Sequence, residues 1–148
     1  MSEKAVHAGH RARLRERFLK EGLFGFSEHE VLELLLMFAI PQKDVNPLAH
    51  ALIGRFGSLS AVLEASPAEL MRVAGVGQNA AALLSLMPQL MGYYQHSAMG
   101  AKPSITNLSG AKRYAGALFF GVHEECVYMI CLDQSGRVLS PALLHKGT

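Results

Sequence analysis

Apolar residues recur at helical spacing along the first two thirds of the chain and gather into one β-favouring run only near its end. In the arginine-rich segment Gly9–Lys20, Leu14 and Phe18 stand at i, i+4, which predicts a helix with one narrow apolar side. Ser27-Glu28-His29-Glu30 reads as a capping box, with the hydroxyl accepting an orphan amide and Glu30 reaching back. In the helix it opens, to about Phe38, Val31, Leu32, Leu34, Leu35 and Leu36 go almost all round, which places it at the centre of a core. Pro41 stops it. Asn46-Pro47 reads as an N-cap followed by proline at the first helical position, and predicts a helix to about Arg55, ended by Phe56-Gly57. Leu59–Glu64 adds a short helical turn, and Ser66-Pro67-Ala68-Glu69 is a second capping box opening a helix to about Val73. Gly75-Val76-Gly77 then makes a tight connection, and a last helix begins at Gln78 or Asn79 and runs to about Tyr94, with Pro88 kinking or restarting it.

The stretch 28–55 and the stretch 67–94 share one plan of helix, connector and helix, a weak internal repeat. Two such hairpins make one helical domain over residues 1–95. Residues 96–103 read as a linker of small residues with Gly100 and Pro103. Beyond it, over 104–148, Asn107 or Ser109 caps a helix to about Phe120, closed by Gly121. Cys126–Leu132 reads as a strand buried on both faces, Asp133–Gly136 as a turn and Arg137–Leu144 as the partner strand. The expected fold class is mainly α: a helix-hairpin-helix domain followed by a partial α/β segment of one helix and a β-hairpin. A two-stranded hairpin is marginal alone. Its exposed strand is expected to recruit another chain, giving a dimer, or to be covered by its own helix.

Composition narrows the class. Half of the 148 residues are hydrophobic and 18% are charged, enough to bury a core. The charge is uneven: residues 1–20 carry a net of +4 and residues 21–40 a net of −4, so a basic helix leads into an acidic one. Cys126 and Cys131, at odd spacing on one strand, stand on opposite faces about 17 Å apart, beyond the roughly 7 Å a disulfide allows. The absence of a disulfide framework, of an apolar h-region behind the N-terminal charges and of a membrane-length apolar stretch points to a cytoplasmic protein. The seven histidines never stand at i, i+2 or i, i+4, so no metal site is expected, and Met71, Met87, Met91 and Met99 read as core or linker fillers.

The chemistry is concentrated at Ala74–Ala81. Gly75 and Gly77 can take backbone angles closed to other residues and expose successive amides at a helix N-terminus. Amides and helix dipole together fit a nucleic-acid phosphate, with Val76 plugging the hairpin and Gln78 and Asn79 beside it. Such contacts read the backbone, so binding is expected to be non-sequence-specific and salt-sensitive. The plainer reading is a tight helix–helix turn. Between Phe56 and Gln95 the only Lys or Arg is Arg72. A second candidate is the first helix, where Arg11/Arg15 and Arg13/Arg17 form i, i+4 rows suited to tracking phosphates, or simply a solvated face. Glu124 or Glu125 reads as a polar strand entry.

These motifs, in order, resemble the bacterial RadC family. The resemblance rests on Gly9-His10-Arg11-x-Arg13-Leu14-Arg15-Glu16-Arg17-Phe18, the Glu30–Leu36 helix, Ile40-Pro41-x-x-Asp44-Val45 and Phe56-Gly57-Ser58-Leu59. It continues through Leu63-Glu64-Ala65-Ser66-x-x-Glu69-Leu70, Val73-Ala74-Gly75-Val76-Gly77 and Leu132-Asp133. The resemblance implies a DNA-repair-associated protein whose helical domain precedes a JAMM/MPN-type metalloprotease-like domain. In that family a His-x-His-Pro pair and an Asp hold zinc, and an upstream Glu acts as general base. Glu124 or Glu125 is the position that could correspond to that Glu. The sequence has no His-x-His, so the resemblance implies a chain truncated before the metal motif, zinc only with the missing part, and no hydrolysis by this chain alone. Two functions follow as alternatives: a DNA-binding module, or a fragment of a zinc-dependent hydrolase whose helical domain docks a protein partner.

Overall fold

The computed structural model describes residues 3–100 and 103–147, with side chains from Gly9 onward. Lys4 and His7 side chains and the expected linker residues Ala101 and Lys102 therefore lie outside the described residues. Among the described residues the chain forms seven helices and a two-stranded antiparallel sheet. The helices are α1 (Glu3–Glu21), α2 (Glu28–Ala39), α3 (Asn46–Phe56), α4 (Leu59–Glu64), α5 (Pro67–Leu70), α6 (Gln78–Ala98) and α7 (Leu108–Phe119). The strands are β1 (Cys126–Leu132) and β2 (Val138–Lys146). The mainly helical class read from the pattern is what the chain adopts. No helix among the described residues is long and apolar enough to cross a membrane.

Two compact units divide within α6, Met1–Ser85 and Leu86–Thr148. The division falls earlier than Gln95, and the helix continues through His96 to Ala98, where a linker had been expected to begin. The reason lies in the second unit itself. There Gln89, Gly92, Tyr93 and His96 of α6 share one cleft with Ala117 and Leu118 of α7 and Pro141 of β2. A Cβ on Gly92 would come within 3.0 Å of Phe120, and one on Gly121 within 2.7 Å of the Pro88 backbone. Glycine at both positions permits that close approach. Pro88 is carried inside the helix rather than ending it.

In the first unit α2 is the central element, packed against α1, α3 and α4. Leu32 and Leu36 are fully enclosed, with Leu52, Val62, Leu70 and Leu84 around them in one apolar cluster. The local signals behave as their chemistry requires. Both capping boxes close: the Ser27 amide donates to Glu30 at 2.9 Å and the Ser66 amide to Glu69 at 3.0 Å. Gly57 ends α3 at φ +96°. One cap is displaced by a residue. Val45, not Asn46, is the N-cap of α3, because the Asp44 carboxylate accepts from the Asn46 amide at 3.0 Å and draws Asn46 into the first turn. Met71 and Met91, read as fillers, lie exposed. The helix expected to reach Val73 ends at Leu70; Arg72 and Val73 instead donate to Glu69 and Leu70, three residues back, a tighter winding than α-helix.

The second unit corrects the reading of β1. Burial alternates along its first residues: Cys126, Tyr128 and Ile130 are half-buried, and Val127 and Met129 are exposed. Phe119 of α7 meets Tyr128 edge-on at 5.3 Å, so the helix covers one face. The other face is open. Both cysteines are half-buried and free.

Candidate functional site

The turn from α5 into α6 opens on a cleft of about 410 Å³, lined by Ala39, Ile40, Gly75, Gly77, Gln78, Asn79 and Ala80. Two different devices shape the turn. Gly75 stands at φ +97°, where a side chain would be strained, and faces Leu48 of α3. Gly77 does not occupy the left-handed region, and a Cβ placed on it would meet no heavy atom within 4 Å. Unusual backbone angles, expected of both glycines, are thus needed only at Gly75. Gly77 keeps the approach to the helix N-terminus bare. Val76 is buried, its amide donating to the Val73 carbonyl at 3.1 Å, so it pins the turn into the core as expected.

Gly77, Gln78 and Asn79 are exposed. The first-turn amides of any α-helix have no acceptor within the helix, and the dipole places partial positive charge there. The cleft is also lined by Ala39, the last residue of α2, and by its C-cap Ile40. Arg11 sets a cation against the segment that follows: its guanidinium donates to the Ile40 carbonyl at 2.7 Å and also to those of Pro41 and Lys43, in the connector to α3.

The four arginines of α1 therefore do different things. Arg11 is spent on the connector from α2 to α3. Arg17 donates to Glu30 at 2.8 Å and to the Gly25 carbonyl at 2.7 Å, and lies over the Phe26 ring at 4.2 Å. Arg13 and Arg15 are exposed. Arg72 is exposed too, and with Arg55 it helps hold the Glu69 carboxyl below its ordinary value, behind the larger effect of hydrogen bonds from Ser66.

Glu124 and Glu125 are both exposed at the entry to β1. Glu124 pairs with Lys146 at 3.5 Å, and the Glu125 carbonyl accepts from Gly147 at 2.8 Å. Among the described residues no three His, Cys, Asp or Glu side chains converge, so the residues present do not make a zinc site.

Sequence reading missed a polar anchor in the core. Glu33, only 2% exposed, accepts from Asn46 Nδ2 at 3.0 Å and bonds His10 Nε2 at 2.8 Å, tying α1, α2 and α3 through one carboxyl. The only available sign was a glutamate inside the apolar run Val31–Ile40. Two more histidine contacts are tertiary: His29 stacks on His50 at 4.2 Å, and His96 meets the buried Tyr114 hydroxyl at 3.2 Å.

A small helical unit with a bare glycine turn at the mouth of a cleft, followed by a helix and a β-hairpin, is the class this architecture defines. The chain belongs to the UPF0758 family, whose N-terminal model matches residues 7–82. A UPF0758 protein of Fusobacterium nucleatum is 46% identical over 90 residues, covering 61% of this chain and 38% of its own length. Another, from Rhodobacter capsulatus, is 31% identical over 135 residues, covering 91% of this chain and 63% of its own length. The chain thus spans less than two thirds of these relatives. No solved structure matches it. The family agrees with the RadC-type motifs.

Proposed function

We propose that the first unit is a RadC-like, repair-associated module that binds the DNA phosphodiester backbone without sequence preference. In this reading α5, the Gly75–Gly77 turn and α6 act as a helix-hairpin-helix element. The observation that carries it is the open cleft bounded by Gly75, Gly77 and the first turn of α6, and lined across from them by Ile40, whose carbonyl Arg11 already occupies. A phosphate there would accept from the exposed amides and lie at the positive end of a 21-residue helix. Exposed Arg13, Arg15 and Arg72 would supply non-specific attraction.

A second reading has one observation in its favour. Arg72 is the only Lys or Arg between Phe56 and Gln95, a sparse cation supply for a DNA-facing turn. On that reading the helical unit docks a protein partner, and the longer relatives carry a zinc-dependent hydrolase domain of JAMM/MPN type. The described residues do not complete a zinc site, so no catalytic step is assigned to them.

The test is fluorescence-anisotropy titration of labelled duplex and branched DNA at low and moderate salt, with folding of every variant checked by circular dichroism. Gly77→Val is the informative change, because it fills the approach to the amides where the fold has room. Salt-dependent binding that weakens in Gly77→Val supports contact at the turn. Loss confined to an Arg13→Ala/Arg15→Ala variant moves the site to α1. Absence of binding by the wild-type chain at every salt concentration rejects DNA association and leaves protein docking.

A further inference from the structure

We infer that His10 and Arg11, consecutive on α1, are positioning residues that clamp the α2–α3 connector, residues 40–45, into the shape it takes beside the glycine turn. The clamp lies wholly within the first unit. Its consequence for DNA rests on the phosphate-binding reading of that turn.

The connector has little of its own to fix its shape. Pro41, Gln42, Lys43 and Asp44 are all exposed, so burial holds nothing until Val45, 2% exposed, enters the core. Among the described residues, Pro41, Gln42 and Lys43 join no backbone–backbone hydrogen bond. Backbone dihedrals left this free populate many shapes unless other groups select one. Helix α1 supplies those groups at both ends. At the near end the Arg11 guanidinium donates to the Ile40 carbonyl at 2.7 Å and to those of Pro41 and Lys43. A planar fork of donors serving several carbonyls fixes their mutual arrangement. At the far end His10 bonds one oxygen of Glu33 at 2.8 Å, and the other oxygen accepts from Asn46 Nδ2 at 3.0 Å. Asn46 is the first residue of α3, so two adjacent residues of α1 hold both ends of the connector.

Ile40 carries the effect to the turn. With Ala39 it lines the cleft that Gly75, Gly77, Gln78, Asn79 and Ala80 also line. A shift of Ile40 changes the room left for an anion at the first turn of α6 without removing an amide. Arg17 provides the contrast. It bonds Glu30, in the first turn of α2, and the Gly25 carbonyl, at the other end of that helix from Ile40. Both arginines carry the same charge and hold α1 in place, but Arg17 makes no bond to a cleft residue.

Amide NMR of the free chain and the DNA anisotropy titration test this on Arg11→Ala, Arg11→Lys, His10→Gln and the charge-matched control Arg17→Ala, each checked for folding by circular dichroism. The Gly77, Gln78 and Asn79 amide resonances should move in Arg11→Ala and stay in place in Arg17→Ala. A connector that keeps the competent shape about a fifth of the time weakens binding about five-fold, the loss expected of Arg11→Ala, with a smaller loss in His10→Gln. Arg11→Lys keeps the charge without the fork and should lose nearly as much as Arg11→Ala. The salt dependence should keep its slope, because no phosphate contact is removed. A slope that falls by about one in Arg11→Ala, with Arg11→Lys binding like wild type, makes Arg11 a direct phosphate contact and overturns the clamp. Equal losses in Arg11→Ala and Arg17→Ala also overturn it. If the wild-type chain binds no DNA, the phosphate reading fails and the free-state resonances decide: movement at the turn in Arg11→Ala upholds the clamp, and stillness there overturns it.

Discussion

Glu33 offers the sharpest test of what holds the helical unit together. Its carboxyl is 2% exposed and holds two partners, His10 from α1 at 2.8 Å and Asn46 from α3 at 3.0 Å. A hydrogen bond to a charged group contributes about 1.5–3 kcal/mol, and a buried polar group left alone costs about 1–3 kcal/mol. His10 is 44% exposed and recovers part of its loss by hydration. Glu33→Gln retains an acceptor for Asn46 and weakens the other bond, so it should cost about 1–2 kcal/mol. Glu33→Leu loses both bonds and leaves the half-buried Asn46 amide without its acceptor, for about 2–4 kcal/mol despite its apolar gain. Urea unfolding followed by circular dichroism measures these values. A double-mutant cycle of Glu33→Gln with Asn46→Ala should return a coupling of about 1 kcal/mol. Buried ionic groups are sometimes replaced by hydrophobic residues with a gain in stability. If Glu33→Leu is as stable as wild type, the carboxyl is a tolerated charge and the anchoring argument is wrong.

Four further outcomes are expected. Arg11→Ala leaves the Ile40, Pro41 and Lys43 carbonyls of the α2–α3 connector without that donor and should lower stability by about 1–2 kcal/mol, against less than about 0.5 kcal/mol for exposed Arg13→Ala, both read from urea midpoints. Gly75→Ala should cost about 1–2 kcal/mol through its left-handed backbone, whereas Gly77→Ala should leave thermal stability nearly unchanged. Hydrogen bonds from the Ser27 backbone, chiefly, hold the Glu30 carboxyl below its ordinary 4.5, and Ser66 does the same for Glu69. The stability these groups contribute is present above the ordinary carboxyl range and is lost as pH falls through their lowered values; Ser66→Ala should flatten that acid limb in pH-dependent unfolding, whereas Ser27→Ala, which keeps the backbone donor to Glu30, should flatten it less. Burial pushes the Tyr114 phenol above its ordinary 10.0. Its contribution is therefore full below that value and lost as pH rises through the folded value, so Tyr114→Phe should remove that part of the alkaline destabilisation.

Sequence by itself determined the features set by interactions a few residues long. The capping boxes at Ser27 and Ser66, the stops at Pro41 and Gly57 and the Asn107 cap of α7 are local, because each donor and acceptor lies within one helical turn of its partner. The apolar circumference of Val31–Leu36 also identified α2 as central, since a helix apolar nearly all round must be enclosed. Tertiary structure decided what lies at long range. His10, Glu33 and Asn46 share no spacing that marks them as partners, and Arg11 resembled its arginine neighbours until the carbonyls of the α2–α3 connector were placed against it. The apolar run of β1 suggested burial on two faces, but composition records only the affinity of side chains for an apolar neighbour. How many faces receive one depends on packing, and α7 covers a single face. The glycine turn shows both levels at once: sequence located Gly75-Val76-Gly77, and only the fold assigned strain relief to the first glycine and open access to the last.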